Sequence, residues 1–168
     1  MTTAATESIG EAAVYRQMAG MIHRVVSLAT QDISHEESLT QPGPNVNCMN
    51  WVLGHLIRVN DNVIRLVGQQ PLGGFERYER GGAPLKNGDD ATDFKTLLQA
   101  WDESTRRINQ GLSEITAERL DQAAPFSPSG NPNETVRSLL TTLFFHQSYH
   151  TGQLGMLRRF AGKPGAIG

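Results

Sequence analysis

Residues 144–154 read FFHQSYHTGQL. The apolar residues around this stretch keep a helical period, and Val136, Leu139, Leu143, His146, His150, Leu154 and Leu157 fall on one row. Two histidines therefore stand where a helix core calls for leucines. Residues four apart sit one above the other on a helix face, about 6 Å along the axis. Two imidazoles so placed can converge on one ion at the roughly 2.0–2.1 Å bonds of a zinc–nitrogen site. The alternative is a pair of core histidines, each hydrogen-bonded on its own. Asn131, Pro132 and Glu134 fit an N-cap, a first-turn proline and a capping-box acid, so the helix is expected to open there. Gly162 and Pro164 close it near Ala161.

Working outward, three more segments carry helical periods. In the first, Val14, Met18, Met21, Val25 and Leu28 form a main row, with Tyr15, Ile22, Val26 and Ile33 beside it. That face is wider than one packing seam needs, which means either deep packing or a subunit contact. QPGPNVN (residues 41–47) breaks the pattern, and Asn47 is the expected N-cap of a second helix running to about Gly68. Its inner face reads Val52, Leu56, Val59, Val63 and Leu66, and His55 points the same way. A third helix opens near DDATDF, with Asp90 or Thr92 as cap, and runs through Phe94, Leu97, Leu98, Trp101, Ile108, Leu112 and Ile115. Between Trp101 and Ile108 its inward places fall to Ser104 and Thr105, giving either a small-residue helix contact or a polar pocket wall. No strand, internal repeat or low-complexity tract is evident. The expected fold is all-α, a four-helix bundle in a single domain over residues 1–168.

The joint from Gln69 to about Ala91 is long for a bundle. At about 3.3 Å per extended residue it can run back along a helix of roughly 28 Å and leave helices two and three parallel. Its glycines fit equally well a loop over one end of the bundle.

A metal held by His146 and His150 needs a third nitrogen from another helix, and His55 is the other histidine on an inward face near a helix middle. His23 and His35 look structural; His35 is placed near the end of helix one, where a cation is favourable. Cys48 precedes His55 by seven residues, about 10 Å along a helix, and reads as a packed thiol. The helix carries His-Gln-Ser-Tyr-His rather than H-E-x-x-H, so Gln147 cannot serve as a protease's general base. Three neutral nitrogens leave room for water or a substrate atom, the layout of a catalytic rather than a closed structural site. Imidazole donors favour zinc or nickel over magnesium or calcium. Gln153 lies three after His150, so it either orients that imidazole by a hydrogen bond or sits at the bundle end. Tyr149 is expected as a packed tyrosine.

Composition narrows the partners. The chain has 168 residues, 15 basic against 17 acidic, and a net charge of -2. No Lys/Arg stripe offers itself to nucleic acid or to an anionic membrane. No apolar run approaches the ~18 residues of a membrane span, and MTTAATESIG has no secretory pattern. A single cysteine excludes an internal disulfide and fits a reducing cytoplasm.

On NWVLGHLI, with His55, and HQSYHTGQL, with His146, His150 and Gln153, the chain resembles the DinB-like (DinB/YfiT) family of four-helix-bundle metalloproteins. The likeness covers roughly residues 10–161. It implies an up-down-down-up bundle in which the Gln69–Ala91 joint is the crossover. It implies a divalent metal on His55, His146 and His150, often a homodimer, and no DNA binding despite the family's name. Characterised activities in the wider superfamily include transferases and isomerases that use mycothiol, bacillithiol or glutathione. In some mycothiol-dependent isomerases a glutamate takes one ligand place; here that place is His146, which argues against maleylpyruvate-type isomerisation. The sequence thus points to a metal-dependent enzyme acting on a small electrophile, with a low-molecular-weight thiol as co-substrate of an S-transferase. The alternative is a non-enzymatic metal-binding or stress-response protein. No residue is assigned as general base.

Overall fold

A computed structural model describes residues 3–85 and 90–167, with side chains from residue 10 onward. Residues 86–89 of the expected crossover, and residues 1, 2 and 168, lie outside the described residues. Four long helices, α1 (Thr3–Thr30), α3 (Met49–Leu66), α4 (Phe94–Glu114) and α6 (Val136–Phe160), form the bundle. Two short ones, α2 (His35–Ser38) and α5 (Ala117–Asp121), lie in the joints. Among the described residues there is no strand beyond one isolated bridge between Ala123 and Thr135. None of the helices is long and apolar enough to cross a membrane.

Each long helix packs on two others, so the order around the bundle is α1, α4, α3, α6. The hydrogen bonds give the directions. Asn50 meets Thr92 and Asn60 meets Ser104, so α3 and α4 run parallel. Tyr15 meets Thr141, and the Arg158 guanidinium meets the Ala29 carbonyl, so α1 and α6 run parallel as well. His55 faces His150 while Asn60 faces Gln147, which makes α3 and α6 antiparallel. The topology is up-down-down-up, and the joint after α3 is a crossover rather than an end loop.

The crossover is tied down although only Glu76–Tyr78, a single 3₁₀ turn, is regular within it. Buried Asp61 accepts the backbone N–H groups of Leu72 and Gly73, at 2.7 and 3.0 Å. Tyr78, 1% exposed, donates its hydroxyl to Asn50 and accepts the N–H of Thr92. Its ring lies on Gly54, where an added Cβ would stand 2.5 Å from the ring. A glycine inside α3 is needed for that approach.

Several expected boundaries shift. The inner stripe of α1 is Ala12, Tyr15, Ala19, Ile22, Val26 and Ala29, whereas Val14 and Met21 are 55% and 62% exposed. Three alanines share the buried row with Tyr15, Ile22 and Val26, and Val14 and Met21 face out. The chain leaves α1 through Asp32 at φ 56, a left-handed conformation that aspartate tolerates. Helix α3 takes Cys48 rather than Asn47 as N-cap. Helix α4 takes Asp93, whose carboxylate accepts the N–H of Lys95, while the backbone N–H and carbonyl of Thr92 bond Tyr78 and Asn50. Helix α6 opens at Thr135, whose side chain and Ser138 form the capping box. Asn131 and Pro132 make a turn instead, and Glu134 accepts the hydroxyls of Ser127 and Ser138.

The gap in the α4 stripe is filled by a buried polar relay. Gln147 donates to Asn60 Oδ1, Asn60 donates to Ser104 Oγ, each at 2.7 Å, and Ser104 donates to the Trp101 carbonyl. All three side chains are essentially inaccessible. The relay joins α6, α3 and α4 in one register, since any slip leaves buried polar groups without partners.

Candidate metal centre

His55 comes from the middle of α3, and His146 and His150 come from successive turns of α6 across the antiparallel contact. One ring nitrogen from each lies within 4.8 Å of the others. The rings meet edge to face, with centroids 4.4 to 5.3 Å apart.

The outer nitrogens have fixed partners. His55 Nδ1 lies 2.8 Å from the Tyr78 carbonyl, an acceptor, so it carries the proton and leaves Nε2 as a lone pair. His150 Nδ1 donates to Gln153 Oε1 at 2.7 Å, which likewise leaves its Nε2 bare. His146 Nε2 then donates to His150 Nε2 at 3.1 Å, and His146 Nδ1 is buried with no hydrogen-bond partner. The Nε2 lone pairs of His55 and His150 thus face the His146 ring, and the Tyr78 carbonyl and the Gln153 amide hold those two rings in orientation; turning the His146 proton to its unpartnered Nδ1 would free a third lone pair for an ion. That donor set fits a divalent ion of intermediate softness. The stacking of Trp51 on His55, at 5.1 Å, closes the site on the α3 side.

Charge favours the neutral rings. Burial pushes the His55 and His150 pKa values down, outweighing the hydrogen bonds to Tyr78 and Gln153. His146 falls to about 4, first through burial and then through the neighbouring imidazoles and Arg80. All three are therefore free of the competing proton at neutral pH.

The histidines border a cavity of about 630 Å³, a size typical of small-molecule sites. Its walls come from the α2–α3 joint (Asn45, Val46, Asn47), from α3 (Trp51, Val52), from the crossover (Arg80, Gly81) and from α6 (Gln153, Met156, Phe160).

The remaining candidates fall elsewhere. Cys48 is buried at the head of α3, and burial pushes its thiol pKa up, away from reactivity. His23 pairs with Asp102 and stacks on Trp101 at the surface. His35 lies beyond the end of α1. It opens α2, and its Nδ1 accepts the N–H of Phe94, satisfying one of the free amides at the start of α4. Tyr149 is not packed: it is 62% exposed, edge-on to His150. Gln147 turns into the polar relay and away from the histidines.

Sequence reasoning missed Tyr78 and Arg80, which sit in an aperiodic joint. Gly54, directly before His55 in a buried helix, was the available signal that another chain segment approaches there.

Comparison with known proteins gives a consistent placement. The family model described as the DinB superfamily matches residues 17–154. A conserved protein from Enterococcus faecalis, known from its crystal structure, superposes with a TM-score of 0.69 at 18% identity. The match covers 90% of this chain and 97% of that one, a likeness of fold. No curated protein matches the sequence.

Proposed function

The chain belongs to the DinB superfamily, and from that premise we propose that His55, His146 and His150 hold one divalent ion, zinc or nickel, beside a substrate cavity where a low-molecular-weight thiol or water attacks a small electrophile. The observation that carries this is the convergence of three neutral imidazoles at the wall of an open cavity of about 630 Å³. A buried structural ion would have no use for that space. When bound, the ion would supply positive charge that lowers the pKa of a thiol or water and polarises an electrophile.

The chain's own residues do the rest. Tyr78 and Gln153 fix the rings of His55 and His150, and Trp51 stacks against His55 and shields it from solvent. Val52, Met156 and Phe160 provide apolar wall for the body of a substrate. None of the described residues lining the cavity is a carboxylate, so a proton released by the nucleophile goes to solvent through the open mouth.

A homodimer belongs to the same reading. Helices α1 and α6 pack side by side, and each turns large apolar side chains outward. Val14 and Met21 on α1, and Phe145 and Tyr149 on α6, are all more than half exposed and line no part of the histidine cavity. Exposed apolar rows on two adjacent helices are what a second copy would cover.

The test is elemental analysis of freshly purified protein, followed by conjugation assays with a thiol and an electrophile. Metal-loaded protein should form conjugate faster than the uncatalysed mixture, and metal-free protein should not. Equal turnover with and without metal would leave metal binding without catalysis as the function.

A further inference from the structure

The cavity has a charge asymmetry that the metal centre does not explain. Arg80 is the one full charge among its described lining residues. The other arginines near the crossover are engaged: Arg58 pairs with Glu79 at 2.7 Å, and Arg77 pairs with Asp90. Arg80 makes no ion pair or hydrogen bond among the described residues, although a guanidinium offers five donors. Its side chain is exposed, but the backbone that carries it is held. Tyr78 is buried two residues before it, and Gly81 follows at φ 80. The Gly82 N–H closes the turn on the Glu79 carbonyl at 2.9 Å. The cavity lining also includes the hydrocarbon and aromatic side chains of Val46, Trp51, Val52, Met156, Leu157 and Phe160.

Resting on the reading of this cavity as the substrate site, we infer that it selects a small carboxylate with an apolar body. The carboxylate is held by Arg80, and the body lies against Trp51, Met156 and Phe160. A planar fork matches a carboxylate in a bidentate manner, and an apolar wall behind it strengthens the attraction over that of a fully solvated pair. A neutral isostere keeps the apolar contact and loses the charge-assisted bonds, a loss of about tenfold in affinity. Arg80 is on this view a specificity-determining residue: it chooses the ligand and takes no part in bond making.

The experiment titrates the full-length protein, as purified and after chelation, with phenylacetate and with phenylacetamide. Calorimetry gives the affinities, and a change in tryptophan fluorescence that is lost in Trp51→Phe and kept in Trp101→Phe reports entry into the cavity. Phenylacetate should bind about tenfold more tightly than phenylacetamide in both preparations. Arg80→Gln should bring the two together, and Arg80→Lys should keep most of the preference. Equal binding of acid and amide, binding of neither, or an unchanged ratio in Arg80→Gln would each overturn the inference. So would a preference that disappears on chelation, because the ion rather than Arg80 would then be the anion's partner. S-methylglutathione, which has carboxylates but no apolar body, provides the third arm. If it bound in an Arg80-dependent way while phenylacetate did not, the apolar-body requirement would fail. Metal content is measured on the same samples, so protein that carries metal without acid preference refutes the role of Arg80 alone.

Discussion

Single side chains decide whether an ion is held. Replacing His55, His146 or His150 by alanine should reduce bound metal several-fold, while His23→Ala and His35→Ala should keep it; plasma emission spectrometry on the five variants checks this. Gln153→Leu removes the acceptor from His150 Nδ1 and should weaken metal binding by about 10- to 100-fold without unfolding the bundle. The same histidines give the metal-free protein a pH dependence of known sign. Their folded pKa values lie below the ordinary 6.5, so the unfolded chain takes up protons first as pH falls. Their contribution is complete above about pH 6.5 and declines toward about 4, the value for His146. Urea midpoints of the metal-free protein should therefore fall between pH 7 and pH 4.5, and less so in a His146→Leu variant. A flat profile would contradict the burial of these rings.

Helices and joints set how precisely those side chains are placed. Gly54→Ala would drive a methyl group into the Tyr78 ring, destabilising the fold by about 1–3 kcal/mol and lowering metal affinity through His55. Tyr78→Phe removes only the hydroxyl's bonds to Asn50 and Thr92. It should destabilise by about 1–3 kcal/mol yet leave bound metal unchanged, since His55 is held by a backbone carbonyl. Chemical denaturation beside metal analysis separates the two effects. The long helices were legible in the sequence because apolar residues recur at 3.6-residue spacing, and His55, His146 and His150 were legible as polar residues within those rows. Helix ends were not, because several neighbouring residues at each end have side chains that can cap: α4 takes Asp93 rather than Asp90 or Thr92, and α6 takes Thr135 rather than Asn131. The inner face of α1 was misjudged because Ala12, Ala19 and Ala29 hold half of its buried row, and hydropathy weights alanine lightly. Arg80 carried no periodic signal at all; only the path of the crossover brings it to the cavity.

At the scale of the whole molecule, the exposed rows of α1 and α6 make a prediction about assembly. Light scattering should give twice the 18.4 kDa chain mass at micromolar concentration. Met21→Glu with Phe145→Glu should return it to one chain mass while metal content stays the same. A monomeric wild-type protein would mean these rows serve another purpose. With a net charge of -2 and no basic stripe, duplex DNA should not bind at nanomolar concentration in physiological salt, as mobility-shift titration would show.

Asp61, anchoring the start of the crossover, has a consequence for hydrogen exchange. Backbone amides in an irregular segment normally trade their protons with water within seconds to minutes, whereas those of Leu72 and Gly73 are sequestered by a buried carboxylate that belongs to α3. Their deuterium uptake should follow the opening of that helix rather than the motions of the joint. In Asp61→Asn only one side-chain oxygen remains to accept, and the two amides should part company, one still slow and the other fast.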